Sequence, residues 1–545
     1  MKMSSVRVYF SCSVSIALCL VLFSGVDTAT SINDDRFMSD VNLERYYVIE
    51  ENALSNADVL LRDDYFGTDD EEEEEEEHLQ HAPNLTTFRS VIDEAKAVHR
   101  LAGPDLKTFL AHPINVYHLF RRLDNGWRKG LELLLQTTPC KKWNLPLIVG
   151  RLRYLIENLP GSDELGHVVE YIAKVQNMYE INVKDIVDGR IGGTLALKPL
   201  TIAEQFEIVK ILHEKDDMRT TLKWLHAINE QLPQLSSAQR EGLNFSKTDI
   251  LNLMASAYYD MRQVSNALEV TEKALELDPT NRIAISNHLF FTNKLAIQMD
   301  KSEPSLTRTF SGKQISKYER LCGRKKQRKV TKKKCRLIRV GFMHYKMEPI
   351  SYKPNIVVFH DVIRNKTSDT LKNYAHETQS DLAWISEETF QSPKFSVDLN
   401  LDKLTENSVK QETKILLDQV STLSSLVNEK PETLQQLQVF NVGLEGIHLK
   451  HHWSEMHLYS PPVKKWRKEA GAYFVFLNDV KIGGEIVFPD NNIILHPEKG
   501  SVLFYYHSKV SLHSFCPVIG SSLWVAVQPI QEHLRNYCVD DDEWL

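Results

Sequence analysis

The stretch Ala267-Leu-Glu-Val-Thr-Glu-Lys-Ala-Leu-Glu-Leu-Asp-Pro279 determines the fold of the central part of the chain. Its apolar residues recur at the three- and four-residue spacing of one helix face, and a proline follows where the helix must end. Ala267 and Ala274 are small enough for a second helix to cross closely. Ala255 and Tyr258 occupy matching positions one helix earlier. The stretch therefore predicts the second half of a helix–turn–helix repeat.

Such a unit, about 34 residues long with a proline after its second helix, is a tetratricopeptide-like repeat. The segments 202–212 and 220–228 predict a preceding helix pair, so the chain contains a short stack of repeats. The concave face of such a stack commonly binds an extended ligand. A spacer without a ligand is the alternative interpretation.

Helical spacing of apolar residues continues towards the N-terminus as far as about Leu85. The glycines of Gly189–Gly193 divide this helical region into two parts. Residues 30–84 carry little periodicity and include nine consecutive acidic residues, Asp69–Glu77. Such a run predicts a solvated, disordered segment.

The first residues have the order of a secretory signal peptide, because Lys2 and Arg7 precede an apolar stretch from Val14 to Phe23 and small residues follow. A signal anchor is the alternative. No later segment reaches the ~20 apolar residues of a membrane span. The secretory route permits disulfides and N-glycosylation. Acceptor sequons, which also occur often by chance, are present at Asn84, Asn244 and Asn365.

Five cysteines remain after the signal peptide, namely Cys140, Cys322, Cys335, Cys516 and Cys538. An odd number leaves at least one thiol unpaired or in an intermolecular bond. Short loop closure suggests the pairs Cys322–Cys335 and Cys516–Cys538, with Cys140 left over, but the sequence alone does not fix the pairing. The chain ends in Asp-Glu-Trp-Leu. That ending is no retention signal for the endoplasmic reticulum, so retention there would depend on another protein.

After residue 336 the pattern changes from helical to strand-like. Short apolar runs are separated by turns at Gly443, Gly483-Gly484, Lys499-Gly500 and Gly520. Many short strands with evenly spaced turns predict a sandwich or a jelly roll. The predicted strands are 354–361, 436–442, 472–477, 485–488, 501–506 and 523–528.

Composition limits the class of protein. The 545 residues predict roughly three domains, and 42% hydrophobic with 25% charged residues is typical of globular proteins. The net charge of -8 provides no basic field for nucleic acid. One basic run, Arg324–Arg336, predicts a solvated linker.

Five motifs point to a known family, one by similarity in the N-terminal helices and four that match in order and spacing in the C-terminal domain. They are His112-Pro-Ile-Asn-Val-Tyr-His-Leu-Phe-Arg-Arg-Leu123, Pro354–Asp361, Ser380-Asp-Leu-Ala-Trp384, Asp479-Val-Lys-Ile-Gly-Gly-Glu-Ile-Val-Phe-Pro489 and His513-Ser-Phe-Cys-Pro-Val518. With these motifs the chain resembles the collagen prolyl 4-hydroxylase alpha subunit over nearly its whole mature length. The spacing of Cys322/Cys335 and Cys516/Cys538 also resembles that family's two internal disulfides.

The resemblance implies a multidomain α + β protein with an all-α dimerisation region, a tetratricopeptide-like α domain and a C-terminal double-stranded β-helix, or jelly roll. We expect a signal peptide (1–29), an acidic segment (30–84), a dimerisation-type domain (85–190), a peptide-binding domain (191–300), a basic linker (301–336) and a dioxygenase-like jelly roll (337–545). In this family, catalysis uses Fe(II), 2-oxoglutarate and ascorbate on a proline-rich peptide.

The same resemblance implies partners and a location. Protein disulfide isomerase is the family's β subunit, and further alpha subunits associate through the dimerisation region. Because protein disulfide isomerase carries its own retention tail, we expect this chain in the lumen of the endoplasmic reticulum. We expect no nucleic acid partner and no membrane span.

The family's iron ligands are a His-x-Asp on one strand and a distal His, a facial triad with open positions. Carried over residue by residue, the two imidazoles fall on His451 and His513, and Trp453 takes the position of the aspartate. The lysine that pairs with 2-oxoglutarate falls on Leu523. Indole offers no lone pair to a metal, so we predict a catalytically impaired homologue that acts as a peptide-binding or assembly subunit.

Glu455 is a possible substitute ligand near His451. The alternative function is therefore an active 2-oxoglutarate- and iron-dependent peptidyl-proline 4-dioxygenase with rearranged ligands. In the helical domain, the family binds peptide with tyrosines on the concave face. Tyr259 matches one of them directly, and Tyr258 lies in the same helix, where packing within its own repeat is the alternative role. His213 and Met218 fall near other family tyrosines.

Overall fold

The computed structural model describes residues 39–60, 83–132, 145–157, 159–300, 317–323, 335–340, 342–352, 355–384, 396–426, 436–444, 469–506 and 513–531. The chain divides into two compact units. The first contains residues 42–110 and 115–168, and the second contains 38–41, 111–114 and everything from residue 169. The predicted signal peptide and acidic run lie outside the described residues. Within those ranges, no helix combines the length and apolarity needed to cross a membrane.

The N-terminal part is helical. The spacing of its apolar residues predicts this from about Leu85 onward, but the prediction of a disordered segment is wrong for residues 40–60, which form a helix. Leu43 and Ala53 of this helix are buried and Glu50 is hydrogen-bonded to Arg122, contacts between distant residues that the local pattern does not reveal. Phe88 and Ile92, one turn apart, are buried together with Leu123 and Trp127. A π-helix, Arg122–Arg128, interrupts the regular pattern. The α-helices are α1 (Asp40–Leu60), α2 (Pro83–Ala102), α3 (Leu106–Leu110), α4 (Pro113–Arg121), α5 (Leu145–Glu157) and α6 (Ser162–Met178).

A second helical region follows within the second unit. A short hairpin of β1 (Arg190–Ile191) and β2 (Thr194–Leu195), at the predicted glycine-rich division, separates its first short helix, Val183–Val187, from the later ones. Ala255, Ala267 and Ala274 have no exposed surface, which confirms that small residues lie where the helices cross. The helices are α7 (Val183–Val187), α8 (Ile202–Glu214), α9 (Met218–Gln231), α10 (Ser237–Glu241), α11 (Lys247–Asp260), α12 (Val264–Leu277) and α13 (Arg282–Asp300).

The C-terminal part is built on two antiparallel sheets. Eight strands form the larger sheet in the order β3-β4-β5-β11-β8-β13-β7-β6, and three form the smaller one in the order β10-β9-β12. The strands are β3 (Arg336–Val340), β4 (Met343–Tyr352), β5 (Asn355–His360), β6 (Ser396–Asn400), β7 (Gln436–Val442), β8 (Glu469–Phe476), β9 (Ile486–Phe488), β10 (Ile493–Leu495), β11 (Val502–Tyr506), β12 (Ser514–Phe515) and β13 (Leu523–Gln531).

Successive side chains of the long strands point to opposite faces of the larger sheet, so they contribute to two separate hydrophobic cores. In β8, Tyr473 and Val475 join a core that includes residues of helices α15 (Asn365–Trp384) and α16 (Asn407–Leu426). The intervening Phe474 and Phe476 point to the opposite face, where they pack with the apolar residues of the smaller sheet. One face of the larger sheet is therefore covered by helices and the other by strands, an arrangement consistent with a jelly roll.

Candidate functional site

The space between the two sheets is filled by apolar side chains. Strand β8 contributes Phe474 and Phe476, β11 contributes Tyr505, and the smaller sheet contributes Ile486 and Phe488. Each of these side chains is at most 2% exposed. Among the described residues of the C-terminal part, from 335 to 531, no lysine or arginine is buried. The described residues of this interior therefore offer no cationic partner to a bound carboxylate.

His513 lies at one side of this interior, directly before β12. The strand holds it there, because Ser514 and Phe515 pair with Val487 and Ile486 of β9. Its side chain is buried, with ring centroids 5.0 Å from Tyr505, 5.5 Å from Phe474 and 5.7 Å from Phe488.

Leu523 begins β13 and has no exposed surface. It lies opposite Val442 of β7 in the sheet register. A Cβ added at Gly484, whose φ of +70° favours glycine, would lie 3.3 Å from Leu523 Cδ2 and 2.9 Å from Val480 Cγ2. Leu523 is therefore packed tightly among apolar groups, where the resemblance expects a lysine that binds 2-oxoglutarate.

Three tyrosines hold the segment that follows His513. Tyr318 donates a hydrogen bond to the carbonyl oxygen of Phe515 at 2.8 Å, and Tyr179 donates one to Pro517 at 2.8 Å. Tyr171 donates to Val518 at 3.2 Å. Burial raises the pKa of the Tyr179 hydroxyl above its ordinary value, so it remains a proton donor. These contacts fix the backbone beside His513 from helices outside the sheets.

A disulfide joins the same segment to helix α14 (Lys317–Cys322), and it corrects the predicted pairing. Cys322 is bonded to Cys516 over a Cα–Cα distance of 5.6 Å, while Cys335 is an exposed free thiol. The predicted pairs Cys322–Cys335 and Cys516–Cys538 are therefore wrong. Helix α14 packs on β9 and β10, so Cys322 meets Cys516 across 194 residues.

The physical reason for the error is that loop-closure entropy rises only slowly with loop length. Short loops are therefore weak guides once tertiary packing has placed two cysteines side by side. Cys538 and Cys140 lie outside the described residues.

The proposed metal ligands are only partly represented in the described structure. His451, Trp453 and Glu455 lie outside the described residues, whereas His513 is in place. Within the described ranges, no three His, Cys, Asp or Glu side chains are grouped so that they can hold a metal ion.

The two candidate peptide-binding tyrosines in α11 have different neighbours. The ring of Tyr259 contacts two aromatic rings of α13, with its centroid 5.1 Å from Phe290 and 5.4 Å from Phe291. Tyr258 is hydrogen-bonded to His226 of α9 at 3.0 Å. Both tyrosines are half-buried. Tyr258 and Tyr259 therefore do not contribute to one common cluster.

A second group on α11 lies beside Tyr259. Ser256 is three residues earlier, so both side chains lie on one face of the helix. The hydroxyl of Ser256 is hydrogen-bonded to His213 of α8 at 3.2 Å. Phe290, which is 43% exposed, extends this face onto α13. Phe290 and Phe291 were not predicted as part of this face, although two adjacent aromatic residues in a helix after the last repeat are a signal visible in the sequence.

Comparisons with known proteins agree with this architecture. Residues 75–193 match a family model described as the prolyl 4-hydroxylase alpha-subunit, N-terminal region. Residues 202–297 match the prolyl 4-hydroxylase peptide-substrate-binding domain, which contains the tetratricopeptide-like helices α8 to α13.

Curated relatives match most of the chain. Prolyl 4-hydroxylase subunit alpha-2 of Gallus gallus is 23% identical over 482 residues, which cover 81% of this chain and 86% of the relative. Subunit alpha-1 of Bos taurus is 23% identical over 495 residues, covering 80% and 85%. The crystal structure of a viral collagen prolyl hydroxylase from Paramecium bursaria Chlorella virus-1 matches 33% of this chain and 96% of its own, with 15% identity and a TM-score of 0.24. The two family models in consecutive order and the length of the matches to curated alpha subunits establish that the chain belongs to the prolyl 4-hydroxylase alpha-subunit family.

Proposed function

We propose that this alpha-subunit homologue binds peptides or assembles with partners in the endoplasmic reticulum and is catalytically impaired as a prolyl hydroxylase. The observation that carries the proposal is Leu523, fully buried at the position of the family's 2-oxoglutarate lysine. The domain boundaries predicted from the sequence are part of the same proposal, apart from the disorder predicted over residues 40–60.

The environment of Leu523 argues against binding of 2-oxoglutarate. A carboxylate in an apolar interior without a cationic partner loses its hydration and costs several kcal/mol. Leu523 lies next to Val480, and the described interior contains no buried lysine or arginine to substitute for the missing charge. The described residues therefore do not fit 2-oxoglutarate.

The residues expected at the iron-ligand positions do not fit iron either. Of these positions, His513 lies among the described residues, and the centroids of three aromatic rings lie within 5.7 Å of the centroid of its ring. By resemblance, Trp453 stands at the aspartate position and supplies no lone pair. Two neutral imidazoles would leave the charge of Fe(II) without compensation. We therefore derive no oxidative step for this chain.

Peptide binding is supported by the face formed by Tyr259, Phe290, Ser256 and His213. Aromatic rings provide flat apolar surfaces on which proline rings stack, and the hydroxyl and imidazole groups offer hydrogen bonds to an extended backbone. The match of residues 202–297 to a peptide-substrate-binding domain supports the same role. By resemblance, the β subunit of the assembly is protein disulfide isomerase, whose retention signal would keep the complex in the endoplasmic reticulum.

The test uses the full chain co-expressed with protein disulfide isomerase. A proline-rich peptide is titrated into the complex, and turnover of 2-oxoglutarate is assayed with the same peptide. We expect saturable binding that Tyr259→Ala weakens roughly threefold to tenfold, since an aromatic contact contributes about 0.5–1.5 kcal/mol. Tyr352→Ala, at a tyrosine that is 78% exposed on β4, is the matched control and should leave binding unchanged.

Turnover should not exceed that of a His513→Ala variant. Turnover of 2-oxoglutarate clearly above that of His513→Ala would reject the proposal of catalytic impairment. It would favour the alternative function, a dioxygenase with rearranged iron ligands. Absence of peptide binding would reject the peptide-binding role.

A further inference from the structure

A groove lies beside the tetratricopeptide-like helices, away from Tyr259. It has a volume of about 690 Å³, within the ~300–1,000 Å³ range of ligand sites. Leu232, Pro233, Leu243 and Phe245 supply its apolar lining. Phe245 is held rigidly, since its ring stacks on Phe206 with 3.9 Å between centroids and 23° between planes. The groove is therefore a preformed apolar surface.

An acceptor for N-glycosylation lies on the rim of this groove. Asn244 lines the groove and is exposed, in the loop between α10 and α11. It begins the sequon Asn244-Phe245-Ser246. Ser246 is also exposed, at the N-cap of α11. Asparagine and hydroxyl residue are therefore both on the surface of the folded protein.

The sequon at Asn365 differs in its third residue. Thr367 is only 1% exposed and donates a hydrogen bond to Glu412 at 2.7 Å, inside the contact between α15 and α16. The hydroxyl that a glycosylating enzyme must recognise is therefore buried in the folded core, whereas that of Ser246, which donates a hydrogen bond to Asp249 at 2.8 Å, belongs to an exposed residue. Asn84 lies in the first turn of α2. Asn244 is the sequon whose asparagine and hydroxyl residue are both shown to be accessible.

We propose that Asn244 carries an N-linked glycan and that its first sugar lies over the apolar groove. The inference rests on the proposed entry into the secretory pathway. The donor is a lipid-pyrophosphate-linked oligosaccharide. Nδ2 of Asn244 forms a bond to C1 of the first sugar, and the C1–O bond breaks so that the lipid pyrophosphate leaves with its electron pair. The amide nitrogen loses one proton to a base of the glycosylating enzyme.

The groove gives the attached sugar a binding surface. A pyranose ring has a face of C–H groups that packs on proline, leucine and phenylalanine side chains, while its hydroxyls remain in water. Such packing would cover Pro233, which is exposed, and Leu243, which is half-buried, while Leu232 and Phe245 are already buried beneath them. Arg240, Glu241 and Lys247 on the rim provide hydrogen-bonding groups for the sugar hydroxyls.

The test expresses the full chain in secretory cells in two forms, with its own first residues and with a heterologous secretion leader. Peptide mass mapping after enzymatic deglycosylation in heavy-oxygen water marks each occupied asparagine. We expect heavy oxygen to be incorporated at Asn244. In gel electrophoresis, Asn244→Gln should lack one of the shifts in mobility that deglycosylation produces in the wild type. Ser246→Thr, which keeps both the sequon and a capping hydroxyl, should retain that shift, and Asn365→Gln is the matched control.

The heterologous leader separates the two proposals. If only the chain with that leader is glycosylated at Asn244, the location proposal fails and the glycan proposal stands. An unmodified Asn244 in the chain with the heterologous leader would overturn the glycan proposal. For the position of the sugar, hydrogen exchange at residues 243–247 should be slower in the glycosylated protein than after deglycosylation. Equal hydrogen-exchange rates in the two forms would contradict the proposal that the first sugar lies over the groove.

Discussion

Glu50 lies in the core of the first unit with its carboxylate fully buried and fully bonded. Arg122 donates two hydrogen bonds to it, at 2.6 and 2.7 Å. Trp127 Nε1 and His99 Nε2 each donate one, at 2.9 Å. A buried charge is tolerated only with such partners. This one acidic residue therefore ties α1 to α2 and to the π-helix.

Replacement of Glu50 by glutamine should destabilise the first unit by roughly 3–5 kcal/mol, because Arg122 would keep a buried charge without its counter-charge. Hydrogen exchange of the α2 amides reports the free energy of local unfolding. The matched control is Asp58→Asn, which removes the partially exposed ion pair with Lys96 and should cost less than about 1 kcal/mol. Equal losses in the two variants would contradict this role of Glu50.

Acid should weaken the same unit through Glu50. Burial alone raises its pKa, but the charge of Arg122 and hydrogen bonds from Arg122 and His99 outweigh burial and lower the pKa to about 2 from an ordinary value of 4.5. A lowered pKa stabilises the folded state above pH 4.5, and this stabilisation is lost as the pH falls towards 2. Unfolding of the wild type monitored between these pH values should show this loss, and Glu50→Gln should show a flatter profile. Identical profiles would refute the assignment.

Leu523 should not tolerate a charge. Leu523→Lys places an ammonium group among apolar side chains and should destabilise the C-terminal part by several kcal/mol, whereas Leu523→Met conserves volume and should cost less than about 1.5 kcal/mol. Thermal unfolding of the full chain measures both. A lysine variant as stable as the methionine variant would mean that solvent or a ligand-binding space reaches this position.

Helix α14 is fixed to the smaller sheet by the Cys322–Cys516 bond, and this pairing has its own test. Digestion without reduction should release a linked peptide containing both cysteines. Cys516→Ser should destabilise the protein by roughly 2–4 kcal/mol, because the bond closes a long loop in the unfolded chain. Cys335→Ser, at an exposed free thiol, is the control and should change stability by no more than about 0.5 kcal/mol. Peptides linked as Cys322–Cys335 would contradict the structure.

Strands with continuous apolar residues were predictable, including the three-residue β9 within the predicted strand 485–488, whereas irregular or polar strands were not. The prediction of a strand over 436–442 coincides with β7, and the predicted helices at 202–212 and 220–228 lie within α8 and α9. Strands β3 and β4 escaped prediction because residues 336–352 alternate irregularly and follow the basic run. Strand β12 has two residues and exists because β9 pairs with it, which no local pattern reveals.

The candidate site was predictable in its positions but not in its surroundings. Motif spacing identified His513 and Leu523, yet the aromatic rings around His513 come from β8, β9 and β11, far apart in the sequence. Three tyrosines hold residues 515–518, namely Tyr171 on α6, Tyr179 directly after α6 and Tyr318 on α14. They are 347, 338 and 197 residues away in the sequence from the residues that they contact. The aromatic rings around His513 and the tyrosines bonded to residues 515–518 are brought there by packing between distant parts of the chain. Patterns of neighbouring residues do not predict such packing.

At the scale of the whole molecule, the proposal combines membership of the alpha-subunit family with described interior residues that provide no buried lysine or arginine for 2-oxoglutarate. The most direct measurement is calorimetric titration of 2-oxoglutarate into the full chain, co-expressed with protein disulfide isomerase and held anaerobically with Fe(II). We expect no saturable binding of 2-oxoglutarate, while the same preparation binds a proline-rich peptide. Saturable, stoichiometric binding that His513→Ala abolishes would contradict the proposal.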